Sequence, residues 1–195
     1  MEEPQLTKND IRANIFAMLD AMPPETKTEK TRLISEKLFE FANYVEAKIV
    51  LLYINAPGEV DSRLIVEKSF NFNKIVVLPG FDATRHTMRL MKIDHHRADL
   101  KIGSRGILEP IRSRCRAVPR DRIDIAIVPA IALDEKGSRL GTGEGYYDRL
   151  IPKLPMTTRK VALALEEQIV PHVIMESHDK HVDIIITDKR VIYKI

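Results

Sequence analysis

Five short runs crowded with Val, Ile and Leu constrain this chain more than any other feature: residues 48–54, 74–78, 123–129, 161–165 and 182–186. Each is apolar on both alternating faces. That is the pattern of strands covered on two sides, as in parallel sheets, rather than of half-solvated antiparallel strands. Between the first two runs, within residues 60–70, Leu64, Ile65 and Val66 fall at helical placement. The result is a strand–helix–strand unit, which crosses over right-handed. Residues 87–93 alternate polar and apolar, predicting an edge or half-exposed strand, and 191–195 reads as a short last strand.

Helical patterns fill the remainder. Thr7, with Asp10 three residues on, predicts a helix start, and Ile11, Ile15, Met18 and Leu19 give that helix one apolar face. A second helix is expected over 29–44, burying Leu33, Ile34, Leu38 and Phe41, with the polar stretch 22–29 as its connection. A further helix is expected over 145–153. Strands alternating with helices predict an α/β fold: a three-layer sandwich with a mostly parallel central sheet, one domain over residues 1–195.

A length of 195 residues suits one domain, and 44% hydrophobic with 30% charged residues excludes a disordered chain. Lys plus Arg is 31 and Asp plus Glu is 28, so the net charge is +3, a weak pull on polyanions. The basic run Arg112, Arg114, Arg116, Arg120 and Arg122 lacks interleaved aromatics. It reads as a solvated loop, and no nucleic-acid partner is expected. A single cysteine, Cys115, excludes an intramolecular disulfide and any multi-cysteine zinc site. The start Met1-Glu2-Glu3 is unlike a signal peptide. The longest apolar tract, 123–133, contains Asp124 and Pro129 and falls short of the ~20 residues that span a bilayer. A soluble cytoplasmic protein without a membrane partner is expected.

Open α/β sheets bind ligands beyond the carboxyl ends of their strands. Two loops fit: 55–61, after the first strand, and 139–149, following the strand at 123–129. In the second, Gly141, Gly143 and Gly145 alternate, removing the Cβ atoms that would keep an anion from the backbone. The spacing matches neither a Walker A loop nor the dinucleotide fingerprint. On composition alone it is a phosphate cradle or a flexible hairpin turn. Asp148 is a helix-start acid or a Mg²⁺ ligand beside a phosphate. His95-His96 reads as a polar turn, and His172, His178 and His181 are too dispersed to form a cluster.

The stretch Arg139-Leu140-Gly141-x-Gly143-x-Gly145-Tyr146-Tyr147-Asp148 closely resembles the signature of the 5-formyltetrahydrofolate cyclo-ligase family. Lys8-x-x-x-Arg12, Glu59-Val60-Asp61, Gly106-Ile107-Leu108-Glu109-Pro110 and Val182-Asp183 with Thr187 fall in the family's order. The resemblance implies ATP-dependent closure of a reduced folate, 5-formyltetrahydrofolate, to 5,10-methenyltetrahydrofolate with release of ADP and phosphate. By position it implies ATP on Lys8, Arg12, Arg139, Gly141, Thr142, Gly143, Glu144, Gly145, Tyr146 and Tyr147. It implies folate on Ile54, Glu59, Arg105 and Tyr146, and Mg²⁺ on Asp148 and Asp183.

Taken singly, these residues have plainer readings. Lys8 and Arg12 are two solvated cations, Glu59 a loop acid, Ile54 core, and Asp183 a locally hydrogen-bonded acid. Three positions depart from the family pattern. Thr142 stands where many relatives carry a cation, Glu144 adds negative charge to a phosphate loop, and Arg105 replaces an aromatic residue. A divergent paralogue that binds folate or nucleotide without cyclo-ligase activity is the alternative they leave.

Overall fold

The computed structural model describes residues 6–194. The acidic start at 1–3 and the last residue of the expected strand 191–195 lie outside them. Helix α1 (Lys8–Ala21) opens on a capping box: the Thr7 N–H donates to Asp10 Oδ2 at 2.8 Å and the Asp10 N–H to Thr7 Oγ1 at 3.2 Å. α2 (Pro24–Glu40) begins earlier than the expected residue 29, so only Met22 and Pro23 connect the two helices. Proline suits a first helical position, where its missing N–H would have had no partner. Phe41, with extended backbone, then separates α2 from α3 (Ala42–Glu46), splitting the single expected helix 29–44.

The remaining elements follow in order: β1 (Ile49–Leu51), α4 (Arg63–Asn71), β2 (Ile75–Asp82), β3 (Thr87–Lys92), β4 (Leu100–Ile102), β5 (Leu108–Pro110) and β6 (Arg116–Ala117). After these come β7 (Ile125–Val128), β8 (Ala132–Leu133), β9 (Arg139–Leu140), α5 (Tyr146–Leu150), β10 (Arg159–Leu163), β11 (Ile184–Ile186) and β12 (Val191–Tyr193). The main sheet has eight strands in the order β12-β11-β10-β7-β1-β2-β3-β6. Its five central strands are parallel, while β12, β3 and β6 are antiparallel additions at the two sides.

From β1 the chain moves through α4 to β2 on one side. From β7 it moves through α5 to β10 on the other. Right-handed crossovers in opposite directions put these helices on opposite faces, completing three layers. The direction reverses between β1 and β7, so the loops leaving them diverge and open a crevice at that point.

Several short strands were not foreseen. Pro129 has no N–H for the ladder, so the apolar tract 123–133 breaks into β7 and a separate hairpin, β8–β9. β3 is not an edge, because the two-residue β6 pairs beyond it. No helix among the described residues is long and apolar enough to cross a membrane. A small second core joins Ile11 and Ile15 of α1 to Ile131, Ala132, Leu140 and Val173. It fixes α1 against the β8–β9 hairpin, beside the loop that hairpin feeds.

Candidate active site

Where the two loops diverge, a cleft of about 200 Å³ opens. α1 contributes Lys8 and Arg12, which lie four apart and share one face. Glu59 enters from the loop after β1, Arg105 from the β4–β5 hairpin, and residues 139–148 form the long wall. Of the residues expected at a site, all but Ile54 and Asp183 line this one space.

The structure places those two elsewhere. β1 ends at Leu51, and Ile54 beyond it packs half-buried against the main core. Asp183 precedes β11 at the amino-terminal edge of the sheet, away from the crevice. Its Oδ2 accepts the Lys160 N–H at 2.9 Å, the plainer of its two sequence readings.

The cleft instead receives Glu176, His178 and Asp179, from the long segment between β10 and β11. One ligand atom from each lies within 4.8 Å of the others. The three histidines of the carboxyl-terminal region looked dispersed in sequence, and no periodicity marks this trio. Its only signal was two acids bracketing a histidine just before a buried strand.

The Gly-rich wall is held from behind. Asp134 is 2% exposed; its Oδ1 accepts the N–H groups of Lys136 and Ser138 and its Oδ2 that of Val173, each at 3.0 Å. Gly137 closes the turn at φ +81°, and a Cβ there would meet the Val182 carbonyl oxygen at 2.5 Å. Asp134→Ala is expected to strand three donors, two of them buried, and lower stability by about 3 kcal/mol. A thermal melt checks this, with a Tm fall of roughly 6–12 °C; a shift under about 2 °C would mean the hairpin has another anchor.

Arg139 braces the loop from below. At 5% exposure it donates from Nη1 to the Pro129 carbonyl and from Nη2 to Asp148 Oδ1, both at 3.0 Å, and its guanidinium lies 5.6 Å from the Tyr147 ring centre. One buried arginine thus ties the end of β7 to the start of α5. Gly145 precedes α5 at φ +74°. The expected helix 145–153 is only five residues long before Pro152 tightens it into a 3₁₀ turn, Ile151–Lys153. Its dipole is correspondingly small, and anion attraction falls to loop N–H groups and side-chain cations.

Charges in the cleft are paired across long sequence distances. Lys8 Nζ lies 2.5 Å from Asp179 Oδ2 and 3.2 Å from Glu176 Oε2. Burial alone would raise the Asp179 pKa, but bonds from Lys8 and the Glu176 N–H outweigh it and hold the carboxyl below its ordinary range. Glu59 behaves oppositely. Burial pushes its pKa up to about 7, only partly offset by the Ala56 N–H at 2.8 Å and by the charges of Arg105 and Arg139.

A profile of the 5-formyltetrahydrofolate cyclo-ligase family matches residues 4–188. A probable 5-formyltetrahydrofolate cyclo-ligase of Schizosaccharomyces pombe is 32% identical over 204 residues, covering 97% of this chain and 99% of that protein. The 5-formyltetrahydrofolate cyclo-ligase of Escherichia coli K12 is 27% identical, over 88% of this chain and 94% of its own. Among solved structures, 5,10-methenyltetrahydrofolate synthetase of Aquifex aeolicus superposes with a TM-score of 0.84 at 27% identity, over 97% of this chain and 93% of that one. The likeness runs through every segment that builds the cleft, from α1 to the acidic trio, and by it the chain belongs to the 5-formyltetrahydrofolate cyclo-ligase family.

Proposed function

We propose that this chain is an ATP-dependent ligase that closes 5-formyltetrahydrofolate to 5,10-methenyltetrahydrofolate, releasing ADP and phosphate. The observation that carries the reading is the joining, in one cleft, of a half-buried carboxylate and a glycine-rich anion loop flanked by cations. An ionised Glu59 accepts paired N–H groups from the aminopyrimidine edge of the pterin. Gly141, Gly143 and Gly145 let the polyphosphate approach the backbone, with Lys8 and Arg12 beside it. Tyr146 borders both substrates.

The chemistry needs activation because a formyl oxygen is a poor leaving group. The γ-phosphoryl passes to that oxygen, N10 attacks the formyl carbon, and phosphate departs as N10 loses its proton. Such a transfer depends on positioning and charge neutralisation more than on covalent protein chemistry. Binding both substrates along one wall supplies the positioning.

The residues present suit Mg²⁺, a hard cation that takes oxygen donors. Asp148 and Asp179 would hold it, both carboxylates lining the cleft beside the phosphate loop. When bound, it would neutralise phosphate charge. Asp148 is already tied to Arg139, and Asp179 to Lys8, so the two acids are oriented before any ligand arrives. Of the three departures that motivate the binding-only alternative, Glu144 and Arg105 offset each other's charge. A buried, free Cys115 fits a reducing, cytoplasmic setting.

The test is direct. Purified protein with 5-formyltetrahydrofolate, ATP and Mg²⁺ should develop methenyl absorbance in proportion to ADP formed. ATP-independent absorbance, or binding of both ligands without product, would overturn the reading.

A further inference from the structure

The four cations of the cleft differ in how many donors remain free. Lys8 is engaged by Asp179 and Glu176. Arg12 donates from Nε to the Gly141 carbonyl and from Nη1 to Asn9 Oδ1, both at 2.9 Å. Both Nη atoms of Arg139 are committed, to Pro129 and Asp148, although its buried Nε also lacks a partner among the described residues. Arg105 is different. Its Nε lies 2.5 Å from Glu144 Oε2, but off the N–H axis, so the contact is a charge pairing and no aligned acceptor meets that buried N–H among the described residues. Its Nη2 has only a long contact to Thr142 Oγ1, at 3.4 Å.

Position adds to this. Arg105 sits at the tip of the β4–β5 hairpin, which is pinned to β2 where Glu109 Oε2 accepts the Phe81 N–H at 3.0 Å. From there the side chain crosses the cleft. Its guanidinium packs 4.4 Å from the Phe81 ring centre and 5.5 Å from that of Tyr146, and its donors reach Thr142 and Glu144 on the opposite wall. Because aromatic rings already cover the guanidinium, stacking on folate is not its natural use. Its charge is also felt by Glu59, so it stands between the folate acid and the phosphate loop. That loop, from Gly141 to Tyr146, carries no cationic side chain and one negative one.

We propose that Arg105 receives the transferring phosphoryl group, and that Glu144 is the displaceable counter-ion that holds it ready. The inference rests on the cyclo-ligase reading above. In the step concerned, a lone pair of the formyl oxygen forms a bond to the γ-phosphorus. The bond from that phosphorus to the bridging oxygen of ADP breaks, and its electron pair leaves with ADP. A guanidinium matches the equatorial phosphoryl oxygens in a two-pronged geometry that a carboxylate contact off its axis does not satisfy. Exchange is easy on the acid's side. The Arg105 side chain is 12% exposed and Glu144 44%, so Glu144 can turn into water while the cation stays inside. Thr142, Glu144 and Arg105, the three departures noted in sequence, thereby become one device: the cation missing from the loop is supplied from the facing hairpin.

Steady-state kinetics on the intact chain test this. Arg105→Met is expected to lower kcat by about 100-fold while both KM values move less than about fivefold, and Arg105→Lys to recover part of the loss. Glu144→Gln is expected to lower the KM for ATP two- to fivefold in the wild-type background and to do nothing in Arg105→Met, since the competitor matters only while its cation is present. Thermal melts establish folding, and Arg105→Gln replaces Met if that variant does not fold. An unchanged kcat, a loss confined to the folate KM, equal kcat for the Lys and Met variants, or a Glu144→Gln gain that persists without Arg105 would each overturn the proposal. Failure of the wild-type chain to turn over would instead defeat the cyclo-ligase reading itself.

Discussion

Glu59→Gln is expected to stabilise the ligand-free protein above neutral pH and, in the same molecule, to lower kcat/KM for the folate by about 100-fold or more. The two effects share one cause. Burial raises the Glu59 pKa to about 7 from an ordinary 4.5, so the fold favours the neutral acid. Stability associated with that neutral form is complete below pH 4.5 and drains away as pH climbs through 7. At pH 8 the deficit is about 3 kcal/mol. Glutamine keeps the shape and can still accept the Ala56 N–H, but it carries no charge to desolvate. Calorimetry at pH 8 should therefore give a Tm roughly 6–12 °C above wild type, with near coincidence at pH 5.

Function runs the other way. A carboxylate accepts two N–H groups, whereas an amide turns a donor toward one of them and leaves both unpaired, a costly loss in a closed site. For the wild type, folate affinity should fall as pH drops below 7 and the carboxyl protonates. Glu144 raises the Glu59 pKa while Arg105 and Arg139 lower it, so the midpoint reports the whole group. A Gln variant with wild-type kcat/KM would remove the pterin from Glu59. Equal melting of the two proteins at pH 8 would show that the charge carries no burial cost.

Asp179→Asn and Asp183→Asn should part company just as sharply. The first is expected to lower kcat by about 100-fold and raise the Mg²⁺ concentration needed for half-maximal rate. The second should leave turnover intact, because an asparagine oxygen can still accept the Lys160 N–H. Asn at 179 also loosens Lys8, giving ATP a freer cation, so the loss should appear in kcat and the metal requirement rather than in the KM for ATP. Mg²⁺ titrations of both variants decide it. A turnover loss on changing Asp183, with Asp179 dispensable, would reverse the assignment.

These two aspartates also mark the limit of sequence reading. The five apolar runs carry their own structure, because strands buried on both faces tolerate few polar residues, but their order, with the reversal between β1 and β7, is set only when the sheet assembles. Thr7, Asp10 and the alternating glycines are equally local. Pro24 was missed, because the polar residues around it read as a connection instead of a first turn. The segment after β10 is another matter. It has little regular structure, and its course is set by remote partners: the Val170 N–H donates to the Leu133 carbonyl and the Val173 N–H to Asp134. Nothing within four residues of Asp179 or Asp183 reveals which of them faces the crevice. The β4–β5 hairpin was hidden for the same reason, since its anchor is Glu109 reaching across to Phe81.

The pairing of Lys8 with Asp179 bridges 171 positions, nearly the whole polypeptide. A nucleotide seated against both would act as a clasp joining the head of the molecule to its tail. Every excursion that frees either end must first release the ligand, so saturation should tighten regions that never touch it, including the peripheral strands far from the crevice. In a cell, the abundance of such a chain would then follow the supply of its own substrates, because the occupied form offers degradative machinery the fewest openings.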